Sequence, residues 1–320
     1  MKNGNENLCI AIPTYNRAEK LDENLKKIIP IVSRYNMYIV ISDNCSQDET
    51  FDVVKKFQTR YEYILYYRNE ENVGFTLNYA NVLKLSKKLH VRYIWTLGDD
   101  DCLIKEGVDV LYPILQKHYD LQFVNVNGKT GSRMPDIRTC ILENGNDVMK
   151  LLGGQLTWIS SLIFSRHYIS EKFLNEIITS NNPFPHTLAI FKTIEPMCKV
   201  LWLDAMCVST LPNVTSSYSE KYLEYFLIDW YEIIRDSGYK YDCEAKTKFL
   251  NSTPVRIKSF FVFRLLGIYD FKLYKKVKPF FGFYKLNKEY NIASVVALLF
   301  PVCFLQAIRN IYRIFKSCRR

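Results

Sequence analysis

The sequence predicts an α/β fold, a mostly parallel sheet of Rossmann-like character with helices on both faces, followed by a helical C-terminal extension. Three observations lead there. Short apolar runs alternate with helix-period patterns over the first 127 residues, and polar or acidic residues follow the ends of those runs. Charge is also divided sharply: residues 251–320 carry 14 Lys+Arg against 2 Asp+Glu, whereas the preceding 250 residues carry 29 against 31.

Each element follows from its own residues. Leu8-Cys9-Ile10-Ala11-Ile12 is an apolar run ending at Pro13, and Tyr38-Ile39-Val40-Ile41-Ser42 is a second ending at Asp43. Residues 63–67, 93–97 and 121–125 continue the series. Rich in β-branched and aromatic residues and bounded by polar turns, these runs read as buried strands. Leu21, Leu25, Ile28 and Val32 step by 4, 3 and 4, the spacing of one helix face, and Val108, Leu111 and Leu115 mark another helix. Ser46-Gln47-Asp48-Glu49 offers cap-like residues to a helix carrying Phe51, Val54 and Phe57. Repeated strand, helix and strand implies parallel pairing through crossovers, and ligands of such sheets sit at the carboxyl ends of the strands.

Beyond residue 128 the pattern loosens. A strand-like stretch at 160–165, a helix at 168–179, a polar loop, a helix at 186–194 and a strand at 200–203 follow. Helices at 220–235 and 292–315 complete the chain. The expected organisation is an α/β domain over 1–215, in two halves that divide at about 127, then a helical basic region over 216–320 with the basic surplus in its residues 251–320.

Composition excludes whole classes. With 48% hydrophobic and 24% charged residues, only 12 Gly and 11 Pro, and no fixed-period repeat, the chain is neither disordered nor fibrous. The nine cysteines form no C-x-x-C pair and mostly adjoin apolar residues, which suits reduced, buried thiols and a reducing compartment. Residues 1–7 are polar and the next apolar stretch is too short for a leader, so a cytosolic body is expected.

Asp99-Asp100-Asp101 follows the fourth strand. Adjacent carboxylates raise one another's pKa, a cost that a divalent cation removes, and hard oxygens suit Mg²⁺ or Mn²⁺. A solvated acidic turn or a helix N-terminus is the other reading of the same triplet.

The ordered segments Ala11-Ile12-Pro13-Thr14-Tyr15-Asn16-Arg17, Ser42-Asp43-Asn44-Cys45-Ser46-Gln47-Asp48, Asn72-Val73-Gly74 with Asn78, and Gly98-Asp99-Asp100-Asp101 together resemble the motifs of family 2 glycosyltransferases with the GT-A fold. The last, an Asp-x-Asp motif, combined with Trp158-Ile159-Ser160-Ser161, resembles bacterial enzymes of the abequosyltransferase type, which build O-antigen or capsule units. The resemblance implies inverting, metal-dependent transfer of a sugar from an NDP-sugar to a hydroxyl of a lipid-linked glycan acceptor. It implies that Asp43 contacts the nucleobase, that Asp99 reaches the ribose, and that Asp101 binds the Mg²⁺ or Mn²⁺ bridging the phosphates. Thr14, Tyr15 and Arg17 would line the nucleotide, while Pro13, Asn72, Gly74 and Asp100 complete the donor-binding motifs. Trp158 suits either a platform for a sugar ring or the core.

The family's usual base, a carboxylate about ninety residues after the metal aspartate, is replaced by Pro185-His186-Thr187-Leu188. His186 is the candidate base, because imidazole titrates near neutrality; Asp204 and Glu195 are the other groups nearby. In the tail, residues 292–308 are seventeen positions without charge, flanked by Lys and Arg. Upstream, Phe260, Phe261, Phe263, Phe271, Phe280, Phe281 and Phe283 interleave with Lys272, Lys275, Lys276 and Lys278. That combination favours peripheral binding to the anionic inner face of a cell membrane over nucleic acid, with a packed helical subdomain as the plainer reading. A sugar-phosphate nucleotidyltransferase is an alternative, disfavoured by the lack of a Gly-rich basic loop after the first strand, and a noncatalytic basic membrane or nucleic-acid binder is another.

Overall fold

The computed structural model describes residues 6–118, 120–129, 137–211, 220–238, 240–299 and 301. The chain divides into two compact units, Met1–Val214 with Ser237–Ala245, and Thr215–Asp236 with Lys246–Arg320.

The first unit opens with β1 (Leu8–Thr14), α1 (Ala18–Val32), β2 (Tyr38–Asp43), α2 (Thr50–Gln58), β3 (Ile64–Arg68), α3 (Gly74–Lys87) and β4 (Tyr93–Thr96). It continues through β5 (Asp101–Leu103), α4 (Lys105–Lys117), β6 (Phe123–Lys129), β7 (Cys140–Asn144), α5 (Gly145–Asp147), β8 (Leu162–Ser165), α6 (Glu171–Ile178), α7 (Pro185–Thr193) and β9 (Met197–Thr210). The strands form one sheet in the order β3-β2-β1-β4-β8-β6-β9-β5, with β7 also on β9. From β3 to β4 the pairing is parallel, as expected from the alternation of strand and helix. Beyond β4 it is mixed: β8 runs antiparallel to β4 and β6, β6 runs parallel to β9, and β5 and β7 run antiparallel to β9.

Every residue of β1 is buried, because helices cover both faces. On one face Ile10, Ile39 and Trp95 join Leu21, Leu25 and Ile28 of α1 and Val108, Leu111 and Leu115 of α4 in one cluster. The helical stripes expected from spacing are therefore the buried ones. Phe51 departs from its expected place in α2: it is exposed, with its ring 5.9 Å from that of Tyr66, while Thr50, Val54 and Phe57 face inward. The sequence reading also passed over β5 and β7. β5 is only three residues long and opens on the last aspartate of the acidic turn, and β7 has three exposed positions among five, so neither carries a legible apolar run.

The second unit comprises α8 (Tyr222–Glu224), a π-helical turn (Tyr225–Asp229), α9 (Trp230–Asp236), α10 (Cys243–Asn251, begun in the first unit), α11 (Ile257–Leu265), α12 (Phe271–Val277), a 3-10 segment (Lys278–Phe283) and α13 (Asn287–Leu299). Its core is aromatic. Trp230 stacks on Phe249 with ring centroids 4.8 Å apart, and Phe260 meets Tyr269, Phe281 and Tyr290 edge-on. Phe260 and Phe281, read from sequence as lipid-facing, are fully buried here, whereas Phe271 and Phe283 are exposed. Among the described residues no helix is long and apolar enough to cross a membrane. Part of the uncharged 292–308 stretch and the basic residues after it lie outside the described residues, as do Cys303 and Cys318.

Candidate active site

Parallel register places the ends of the first strands side by side. Thr14 lies opposite Asp43, Asp43 lies opposite Arg68, and the chain leaves β4 through Leu97, whose N–H donates to Ala11 O at 2.9 Å. One sheet edge therefore gathers Pro13, Thr14, Tyr15 and Arg17, then Asp43, then Gly98-Asp99-Asp100-Asp101. Two loops on this edge are stitched together. Asn16 N–H donates to Ser46 Oγ at 2.9 Å, Gln47 N–H donates to Asn16 Oδ1 at 2.7 Å, and Ala18 N–H at the start of α1 donates to Asp48 Oδ2 at 2.8 Å. Asn16 and Cys45 adopt left-handed backbone, φ 49° and 63°, at the turns of those loops.

Asp43 is fully buried and fully engaged. Its Oδ1 accepts from Ser46 N–H at 3.0 Å and Ser46 Oγ at 2.5 Å, its Oδ2 accepts from the Tyr66 hydroxyl at 2.5 Å, and Arg68 Nε stands 3.6 Å away. Beside it runs a chain of asparagine amides. Asn44 Nδ2 donates to Asn72 Oδ1 at 2.7 Å, Asn69 Nδ2 donates to Asn44 Oδ1 and Asn78 Oδ1 at 3.0 Å each, and Asn78 Nδ2 donates to Ser42 O at 3.0 Å. Asn72 Oδ1 also accepts from Gly74 N–H at 2.9 Å, opening α3 at a residue with φ +79°, a backbone that favours glycine; no neighbour would obstruct a Cβ there. Asn72, Gly74 and Asn78 thus brace the strand ends.

The acidic turn is held from below by Asn24, a buried polar residue on the otherwise apolar face of α1, whose Nδ2 donates to Gly98 O at 3.3 Å and to Asp101 O. Thr14 Oγ1 donates to Asp99 Oδ2 at 2.8 Å, and Arg17 Nη1 pairs with Asp100 Oδ2 at 3.2 Å. Asp101 Oδ2 accepts from Trp158 Nε1 at 2.7 Å and from Ser160 Oγ at 2.5 Å. Burial first, and the neighbouring Asp100 charge next, push the Asp99 carboxyl up to about 7 against the opposing hydrogen bond from Thr14. Burial likewise raises Asp101 to about 6, although the Ser160 hydroxyl pulls the other way. Two carboxylates this reluctant to ionise mark a site short of positive charge, and they suit a divalent cation. Among the described residues no three His, Cys, Asp or Glu side chains converge into a cage. An ion that takes one or two carboxylates and completes its shell with water and phosphate oxygens needs none.

His186 belongs to a helix rather than to a strand end. On α7, 2% exposed, it has Nε2 3.1 Å from Thr157 O and its ring centroid 5.5 Å from that of Tyr79. An N–H at Nε2 donating to that carbonyl leaves Nδ1 with a lone pair, and Nδ1 has no partner among the described residues. Burial pushes its pKa down to about 4. Asp204 is exposed and accepts from Asn127 Nδ2 at 3.1 Å; Glu195 is exposed.

Sequence reasoning missed Asn24, Ser46, Tyr66 and Ser160 as site residues. Asn24 had a legible signal, a polar residue three positions from Leu21 on a buried helix face. Ser46 and Ser160 lie within the motif segments but had no role assigned, and Tyr66 acts through a contact that no spacing rule reveals.

A family model described as Glycosyl transferase family 2 matches residues 9–178. Abequosyltransferase RfbV of Salmonella typhimurium is 32% identical over 134 residues, which cover 41% of this chain and 39% of that protein's length. In fold, the chain is similar to TarS 1-349 of S. aureus, solved in complex with UDP-GlcNAc, with a TM-score of 0.59 and 14% identity over 95% of this chain and 92% of that one. It is also similar to the mannosyltransferase PcManGT of Pyrobaculum calidifontis, solved with GDP-Man and Mn²⁺, with a TM-score of 0.52 and 13% identity over 92% and 88% of the two chains. The fold is GT-A, with a helical C-terminal region.

Proposed function

The chain belongs to glycosyl transferase family 2, and from that premise we propose that it transfers a sugar, with inversion, from an NDP-sugar to a hydroxyl of a lipid-linked glycan in the assembly of a bacterial surface polysaccharide. One observation carries this reading. Thr14, Arg17, Asp43 and the Asp99–Asp101 turn meet on one sheet edge, where Asp99 and Asp101 are deficient in compensating charge.

In the proposed mechanism Asp43 stands at the nucleobase end. Ser46 pins its Oδ1, so a base N–H would take Oδ2 in competition with the Tyr66 hydroxyl. Tyr15, 40% exposed, offers a ring face to the nucleotide, and Asp99 is assigned the ribose hydroxyls. Arg17, now on Asp100, is free to exchange that carboxylate for a phosphate oxygen. Asp101 would hold Mg²⁺ or Mn²⁺, which when bound neutralises charge on the diphosphate leaving group. As the acceptor oxygen bonds to the anomeric carbon, the bond from that carbon to the phosphate oxygen breaks, its electron pair leaves with the nucleoside diphosphate, and the hydroxyl proton passes to His186 Nδ1. Burial leaves the imidazole neutral at physiological pH, the state that accepts a proton, but a pKa of about 4 makes it a weaker base than the near-neutral titration of free imidazole would give.

Membrane association of the second unit is part of the same proposal. Phe271, Phe283, Ile292 and Leu299 are 60%, 48%, 65% and 77% exposed, and Lys272, Lys275, Lys276, Lys278, Lys285 and Lys288 are exposed on the same helical region. Apolar side chains among ammonium groups suit an anionic lipid surface, where the acceptor would reside. The deciding experiment screens NDP-sugars for hydrolysis and thermal stabilisation with Mn²⁺, with Mg²⁺ and with chelator. Metal-dependent turnover of one donor is the expected outcome. Release of pyrophosphate from an NTP and a sugar phosphate would make the chain a nucleotidyltransferase instead.

A further inference from the structure

We propose that Trp158 and Ser160 are positioning residues for Asp101, clamping its carboxylate so that it is presented to a divalent cation in one orientation. The inference rests on the proposed metal-dependent donor site and assigns to Trp158 a task other than stacking on a sugar.

Both donors converge on a single oxygen. Trp158 Nε1 and Ser160 Oγ reach Asp101 Oδ2, and Thr210 lies opposite Asp101 across the ladder of β5 and β9. Ser160 is itself oriented, since its Oγ accepts from Gly98 N–H at 2.8 Å, so one hydroxyl ties the two ends of the acidic turn together. The segment bearing the two donors is fastened along its length: Trp95 Nε1 donates to Ser160 O at 2.8 Å, Thr96 Oγ1 to Ile159 O at 2.5 Å, and Asn125 Nδ2 to Ser161 Oγ at 2.8 Å. A clamp so anchored holds a side chain far better than a mobile loop does.

The indole has a dedicated seat. A Cβ on Gly128 would lie 2.6 Å from Trp158 Cζ3, 2.7 Å from Cη2 and 2.6 Å from Val208 Cγ2, so the indole and Val208 both close on the strand only because residue 128 is glycine. The ladder between β6 and β9 shifts register between Asn127 and Gly128, setting that glycine opposite Val208. Glycine, bulge and tryptophan together bring the N–H to Asp101, whereas a sugar platform would need only an exposed face. Groups that orient a metal-binding carboxylate without touching the metal typically change affinity by about 10- to 100-fold when removed.

The test measures the Mn²⁺ concentration that half-saturates nucleotide binding, followed by the EPR signal of free Mn²⁺ and by calorimetry, with UDP, GDP, CDP and dTDP as probes on the full chain. Trp158→Phe, which keeps an aromatic ring but deletes the N–H, is expected to raise that concentration about tenfold while leaving metal-free nucleotide affinity unchanged. Ser160→Ala should raise it alike, with a fall in Tm because the Gly98 N–H loses its acceptor. If Trp158→Phe does not fold, Ser160→Ala decides. Unchanged Mn²⁺ half-saturation in the folded variants overturns the clamp, and so does an equal loss of binding with and without metal. If the unmutated protein binds none of the four diphosphates in a Mn²⁺-dependent way, the donor-site reading fails first and the clamp falls with it.

Discussion

Two groups of carboxylates stand on the same sheet edge in opposite states. Asp43, at the end of β2, is met by Ser46, Tyr66 and Arg68, so its charge is matched by donors of the protein itself. Asp99 and Asp101, at the end of β4, are almost as buried, yet their carboxyls are pushed up to about 7 and about 6. Burial alone does not separate them, since all three are buried. The neighbouring cation does: Arg68 stands 3.6 Å from Asp43, whereas the donors to Asp101, Trp158 Nε1 and Ser160 Oγ, are neutral and Arg17 pairs with Asp100. A buried carboxylate matched by a cation builds structure, and one left without is kept for a ligand.

The contrast is broken most decisively at Asp101. Asp101→Asn should reduce Mn²⁺- or Mg²⁺-dependent nucleotide binding by two or more powers of ten, on the order expected when a metal loses its anionic ligand; Asp43→Asn should weaken nucleotide binding while keeping its metal dependence. Equal metal dependence in both variants, by calorimetry, would show that the cation sits elsewhere. Next in size is His186→Ala. Transfer rate is expected to fall roughly 100-fold or more at unchanged donor affinity, the usual contribution of a general base; near-normal turnover would remove His186 from the chemistry.

Stability sharpens the comparison by sign. Asp43→Asn should cost about 1–3 kcal/mol in chemical denaturation, because at least one buried donor loses its acceptor. Asp99→Asn should do the reverse. The folded protein holds the Asp99 proton more tightly than the unfolded chain, so stability falls as pH rises from about 4 to about 7. Removing the ionisable group should then stabilise by on the order of 1–4 kcal/mol at pH 8, with the gain shrinking toward pH 4. Destabilisation by Asp99→Asn at pH 8 would mean that its charge is already compensated.

The smallest expected effect belongs to the second unit, whose exposed lysines carry the opposite charge. Raising salt from about 0.1 to about 0.5 M should weaken sedimentation of the full chain with anionic vesicles several-fold without eliminating it, because screening spares apolar burial. Complete release by salt, or preference for RNA over vesicles, is the result that would sink the lipid reading.

The core strands of the parallel half, the helices behind them and the polar strand ends were legible because each rests on local periodicity: alternation with turns for β1 to β4, and steps of three and four for α1 and α4. The four motifs were legible as a family resemblance for the same reason, since each is contiguous. Where the periodicity failed, so did the reading. β5 and β7 exist through pairing with a fourteen-residue β9, and the inward turn of Phe260 and Phe281 depends on Tyr269 and Tyr290 arriving to cover them.

By itself, then, the sequence determined an α/β body with acidic and polar residues on one strand edge and a basic surplus after residue 250. Only the tertiary structure decided what each of those residues meets. It engaged Asp43 through Tyr66, twenty-three residues away, and left Asp99 and Asp101 under-compensated. It enclosed His186 beneath Thr157, and it laid the Trp158 indole over Gly128 with its N–H on Asp101, fifty-seven residues back along the chain. Charge compensation and burial are sums over neighbours that folding brings together, and spacing along a chain carries almost no information about that sum.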